Sequence, residues 1–125
     1  MSANIYVMSL IGPFLEHSRI FYFRNGQTDP IDGRFFMGSA DWMGRNLLGR
    51  VEVVAPIEDK LAREKVWETL TVLLNDQRLV WDMDASGDYR LRQPQAPEQE
   101  VGAHDLLIEK MRIRAAVRKL EDAKS

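Results

Sequence analysis

The spacing of the apolar residues changes once along the chain, at Pro56, and that change limits the folds it can adopt. Before Pro56, apolar residues come in short runs closed by turn formers. Ile5 to Leu10 is rich in β-branched and aromatic residues and stops at Gly12-Pro13, so it reads as a strand. A second strand is expected from Arg19 to Phe23, closed by the Asn25-Gly26 turn signal, and a third from Arg34 to Met37. Between them, Gln27 to Gly33 reads as a loop, and Ala40 to Gly49 as a structured loop. Arg50 to Ala55 reads as a fourth strand, with consecutive Val53-Val54-Ala55 pointing to burial on both faces. After Pro56 the spacing becomes helical. Ala62, Val66, Leu70 and Leu73 recur three and four apart, predicting a helix from Asp59 to Leu74 with Glu58 and Asp59 at its positive end.

Leu79 to Met83 and Tyr89 to Leu91 read as a hairpin around Ser86-Gly87. This order predicts an α/β fold of two layers, a mixed β-sheet covered by helices, with its core in residues 1–92. Residues 93–104, carrying Pro94 and Pro97, read as a linker, and residues 105–125 as a terminal segment whose helix runs from Asp105 to about Asp122. That helix has two apolar faces. Leu106, Ile113, Val117 and Leu120 form one; Leu107, Ile108, Met111 and Ala115 form the other. Such a helix packs on two sides, either within its own domain or on the core and a partner as well.

The 125 residues suit one compact domain. A net charge of −2 provides no global basic field for nucleic acid or acidic membranes, so a polyanion would have to meet a local group of arginines. Cysteine is absent and only His17 and His104 are present, which excludes disulfides, thiolate nucleophiles and cysteine- or histidine-rich metal centres. No metal ligand set is expected. No stretch approaches the roughly 18 apolar residues of a membrane span, and Met1-Ser2-Ala3-Asn4 has no basic leader character, so a cytoplasmic location is expected.

Two segments carry candidate chemistry. In Glu16-His17-Ser18-Arg19, the histidine and arginine are two apart at the start of a strand, where such residues share a face. Histidine offers a proton donor or a phosphoryl acceptor near neutral pH, and arginine offers a charged fork matched to phosphate oxygens. By themselves the two are as compatible with a structural role. The second segment runs from Gly38 through Ser39, Asp41, Arg45 and Asn46 to Arg50. Ser39 and Asn46 supply neutral donors, Arg45 and Arg50 supply charge, and Asp41 can orient an arginine or the histidine. The plain alternative is a polar turn with surface arginines paired to Glu52 or Asp41. His104, in the tail near a helix start, reads as solvated.

Both segments resemble the last domain of the long bacterial polyphosphate kinases. The likeness is carried by Ile11-Gly12-Pro13-Phe14-Leu15-Glu16-His17-Ser18-Arg19-Ile20 with Tyr22-Phe23 and Asn25-Gly26. It continues in the same order with Gly38-Ser39-Ala40-Asp41-Trp42-Met43, Arg45-Asn46-Leu47 and Arg50-Val51-Glu52-Val53. Pro13 departs from it, standing where the family usually has an arginine. The resemblance implies a phospholipase D-like half-domain and reversible transfer of the terminal phosphate of ATP to inorganic polyphosphate, with Mg²⁺ and a phosphohistidine. It also implies that the phosphorylated histidine belongs to an upstream domain, in the same or a separate chain, so that this chain alone is inactive. His17 matches the second histidine of that site, which lies along the nucleotide's phosphates as an acid or hydrogen-bond donor. Arg50 matches an arginine facing the same phosphates, and Arg19, Ser39, Asp41, Arg45 and Asn46 match further motif positions.

Two other functions are compatible with the sequence. One is a module that binds polyphosphate or a partner without catalysis, in keeping with Pro13. The other is a homodimeric phospholipase D-like phosphodiesterase, against which Arg19 replaces that motif's lysine and Arg24 stands where its aspartate should lie.

Overall fold

A computed structural model describes residues 4–123, so residues 124–125 of the expected terminal segment lie outside the described residues. The chain forms two compact units, one of residues 17–70 and one of residues 4–16 with 71–123.

In residues 17–70 the strands are β1 (Ile20–Phe23), β2 (Arg34–Gly38) and β3 (Val54–Pro56), in the order β1-β2-β3 and antiparallel throughout. The β1–β2 connection turns at Asn25 and Gly26, whose φ values of 54° and 75° lie in the left-handed region that asparagine and glycine tolerate best. Tyr22 pairs with Phe35 across the strands, and Trp67 of helix α2 (Lys60–Asn75) packs on both. Ring centroids lie 4.7 Å apart for Tyr22–Phe35 and 4.8 Å for Tyr22–Trp67, and Phe35 is 1% exposed. This three-ring cluster is the core of the unit. Asp59 caps α2 by accepting from the Ala62 amide at 2.7 Å.

Two expectations are corrected here. Ala40 to Gly49 is not all loop, because Gly44–Gly49 forms a short helix, α1. The fourth expected strand is shorter and lies elsewhere in its segment. β3 pairs on one side only, and Val54 is half exposed and Val51 fully so. A short apolar run reads the same whether its strand is central or at an edge, and Pro56, lacking an amide hydrogen, fits the edge.

In the other unit, β4 (Val7–Leu10), β5 (Val80–Met83) and β6 (Tyr89–Leu91) form a second antiparallel sheet in the order β4-β5-β6. The expected single mixed sheet is therefore two three-stranded sheets, both antiparallel among the described residues. The physical reason is that each sheet is closed by its own hairpin, β1–β2 in one and β5–β6 in the other. No parallel pairing then has to be bridged by a crossover.

Central Val80 is fully buried. Arg92 grips the Asp82 carboxylate with Nε and Nη2, both at 2.8 Å, and donates through Nη1 to the carbonyls of Leu74 and Asp76. Asp76 is buried. Its carboxylate accepts from the amides of Arg78 and Leu79 at 2.6 Å and, through the other oxygen, from Ala103. Ala103 begins helix α3 (Ala103–Asp122), whose own N-cap, Gly102, has no side chain to offer. Asp76 thus caps a helix 27 residues away in sequence.

That cap draws the start of α3 into the unit and overturns the expected solvation of His104, which is 7% exposed. Its ring lies edge-on to Phe14 and 3.8 Å from the Glu16 carboxylate. Gly12 is forced by this packing, since a Cβ there would stand 2.6 Å from His104 Nδ1. Residues 93–104 hold a 3-10 turn at Pro97–Glu100 and the first turn of α3. Farther along, α3 is exposed on both apolar faces, with Met111 at 61% and Leu120 at 64%.

Replacing Asp76 by alanine leaves three amides without their acceptor. We expect a loss of at least about 2 kcal/mol in chemical denaturation, with less helical signal at 222 nm, and a smaller loss for Asp76→Asn. Unchanged stability in Asp76→Ala would show that water replaces the cap.

Candidate functional site

His17, Arg19, Ser39 and Asp41 lie at one end of the β1-β2-β3 sheet. The ladder runs one step beyond the strands on both sides of β2: the Gly38 amide donates to the Arg19 carbonyl at 3.0 Å, and the Ser39 amide to the Val53 carbonyl at 2.9 Å. Arg19 and the turn after β2 are held side by side as a result. Arg19 Nε donates to Asp41 Oδ1 at 2.7 Å, and Nη2 lies 3.1 Å from His17 Nε2. His17 and Arg19 both precede β1, so the strand alternation expected of them does not apply; they meet through this side-chain contact, and Asp41 holds Arg19.

The contact fixes a proton. A guanidinium has donors only, so His17 Nε2 must be the acceptor. When Nε2 accepts from Arg19, the ring carries its hydrogen on Nδ1, and His17 is exposed. In this arrangement the ring offers a ligand one N–H donor through Nδ1, while Arg19 covers the lone pair on the other nitrogen.

A second cluster adjoins the first through Ser39. The Ser39 hydroxyl donates to Glu52 Oε2 in a very short hydrogen bond and accepts from the Val53 amide at 3.1 Å. Asn46 is buried in α1, and its Nδ2 donates to Glu52 Oε1 at 3.2 Å. Ser39 and Asn46 therefore turn their donors inward, to Glu52, and act as a brace behind the site. Glu52 was weighed from sequence only as a partner for surface arginines. The one signal pointing to it was its place in Arg50-Val51-Glu52-Val53.

Arg45 and Arg50 are not part of either cluster by contact. Both are exposed, and among the described residues neither makes a side-chain hydrogen bond or ion pair. Arg50 ends α1 with extended backbone, φ −130° and ψ 157°. The structure therefore unites His17, Arg19 and Asp41, and separately Ser39, Asn46 and Glu52, and leaves two guanidinium groups open to solvent. No group of three or more acidic or histidine side chains suited to a metal ion occurs among the described residues. Asp41 and Glu52 are already engaged, so the carboxylates here do not fit Mg²⁺.

The hydrogen bond from Arg19 holds the Asp41 carboxyl below the usual carboxylate range, with desolvation opposing and the charges of Arg19, His17 and Arg45 adding. Because the folded value is lowered, the stabilisation is complete above the ordinary range and disappears as pH falls through the lowered value. The stability difference between the protein and Asp41→Asn should be flat from about pH 5 to 8 and shrink below about pH 4. A difference that grows toward acid would contradict the pairing.

With this geometry in place, comparison with known proteins is direct. The sequence pattern of the family described as polyphosphate kinase C-terminal domain 2 matches residues 1–103. A polyphosphate kinase of Thermosynechococcus vestitus is 46% identical over 108 residues, which cover 86% of this chain and 14% of that protein. One of Pseudomonas aeruginosa is 40% identical over 111 residues, covering 89% and 16%. The crystal structure of polyphosphate kinase from Porphyromonas gingivalis superposes with a TM-score of 0.79 at 30% identity, over 92% of this chain and 17% of the other. The chain thus spans about one-seventh of the length of the curated relatives it matches. It belongs to the polyphosphate kinase C-terminal domain family.

Proposed function

We propose that this domain forms one wall of a site at which the terminal phosphate of ATP is passed reversibly to inorganic polyphosphate, the remainder being supplied by upstream polyphosphate kinase domains. The reading includes a phospholipase D-like half-domain as the finer fold, a cytoplasmic location, and no activity of the chain alone. The catalytic contribution is placed in residues 1–92. The segment 93–104 connects them to a helix in 105–125 that packs on the core or on a partner, a second copy included.

The observation that carries the proposal is a pre-set donor group, followed along the same segment by exposed arginines and uncovered apolar side chains. His17 is oriented by Arg19, and Arg19 by Asp41, so little ordering remains to be done when a phosphate arrives. Among the described residues Arg50 has no internal partner to release, and Arg45 acts on Asp41 only through its charge. Around them Trp42 is 78% exposed, Leu48 90% and Val51 99%, in a chain 46% identical to a relative about six times as long. Apolar surface of this kind suits cover by another domain.

In this mechanism His17 donates through Nδ1–H to a phosphate oxygen, and Arg50 and Arg45 neutralise charge on the migrating group. Arg19, Asp41, Ser39 and Asn46 hold the donors in position. Phosphoryl transfer is achieved mainly by such placement and charge neutralisation. The residue that becomes phosphorylated lies in an upstream domain. Mg²⁺ would screen phosphate charge when bound, and the described residues offer it no ligand set.

The test is to combine the chain with a polyphosphate kinase truncated before this domain and to measure ATP-dependent chain extension. Synthesis should appear only in the mixture. It should fall about 10²–10³-fold with His17→Ala, the cost of losing one donor to a transition state. No synthesis from the mixture, or full synthesis with His17→Ala, would remove the proposal.

A further inference from the structure

At the opposite end of β2 from Ser39, residues 17–70 hold a cleft of about 570 Å³ that the site above does not use. Arg34, Phe36, Pro56, Ile57, Glu58 and Arg63 line it. Arg34 and Gly38 begin and end β2, about 13 Å apart along the strand, and the cleft extends from the Arg34 end as far as Phe36.

Arg63 is its unusual member. Nη1 donates to the Ile31 carbonyl at 3.2 Å and Nη2 to the Glu58 carbonyl at 2.6 Å, which locks the plane of the guanidinium. The Nε–H is shielded from solvent and has no partner. No carboxylate pairs with Arg63 among the described residues, and the exposed guanidinium of Arg34 on the same cleft is likewise unpaired. A guanidinium fixed by two carbonyls and bonded to no carboxylate is favourable to pair with an oxyanion through its remaining Nη hydrogens. The Glu58 carboxylate opposes this, so the three charged side chains leave the cleft one positive charge. Phe36, Pro56 and Ile57 form an apolar wall beside it.

Two guanidinium groups suit the several oxygens of a phosphate better than a single carboxylate. The volume falls within the roughly 300–1,000 Å³ range of small-molecule sites and exceeds what a bare phosphate fills. We propose that this cleft binds an organic phosphate of nucleotide size, its phosphate on Arg63 and Arg34 and its ring against Phe36 and Pro56. The site is independent of the phosphoryl-transfer reading and stands or falls without it.

The test is an NMR titration of the arginine Nε–H signals of the 125-residue chain with AMP, inorganic phosphate and adenosine. AMP should shift the Arg63 Nε–H signal saturably, and more tightly than either phosphate or adenosine. Arg34→Ala should weaken binding about tenfold. Glu58→Gln should tighten it, a direction that loss of fold cannot produce. His17→Ala should leave the shift unchanged, separating this cleft from the first site. The proposal is overturned by an unmoved Arg63 signal, by equal affinity for inorganic phosphate, or by variants at Arg34 and Glu58 that bind AMP as the parent does.

Discussion

The carboxylate of Asp76 accepts from three backbone amides, two just downstream of it and one at the start of a helix far along the chain. A helix that begins at glycine has no cap of its own, and buried amides without acceptors are costly. The terminal helix therefore begins where Asp76 is, and the Arg92 fork holds the backbone around Asp76 in place. His104, Gly12 and Phe14 follow from that placement, because the first turn of α3 fills the space over residue 12.

The unit of residues 17–70 uses the same device with different chemistry. Ser39, Asn46 and Glu52 tie the end of the β2–β3 ladder to α1, which fixes the turn carrying Asp41. Asp41 in turn sets Arg19, and Arg19 decides which nitrogen of His17 carries hydrogen. The chain of control runs from a buried amide side chain to one proton at the surface. At the other end of the same strand, Arg63 has two of its donor positions satisfied by carbonyls and a third unsatisfied.

Much of the local structure was legible in sequence. Asn25-Gly26 marked a turn, the spacing from Ala62 to Leu73 marked α2, and Ser86-Gly87 marked the β5–β6 hairpin. Each depends on neighbouring residues alone, through backbone φ preference or helical period. His17 and Arg19 were singled out in sequence by a strand alternation that begins only at Ile20, and it is the Asp41–Arg19–His17 contacts that group them. Less visible were partners distant in sequence. Trp67 was not picked out in the α2 stripe, yet its ring closes the core on Tyr22 and Phe35. Glu52 could be read as pairing with arginines, and only the fold gives it to Ser39 and Asn46.

Sequence by itself determined the element types, the two motifs and the family to which they belong. Those features reside in short segments whose physics is local. Tertiary structure decided that the strands form two antiparallel sheets, that Val54 lies at an edge, that His104 is buried, and which donors of Ser39, Asn46 and Arg63 point inward. Each of those outcomes depends on which distant group arrives to accept a hydrogen bond or exclude water. Residue spacing along a chain does not encode that.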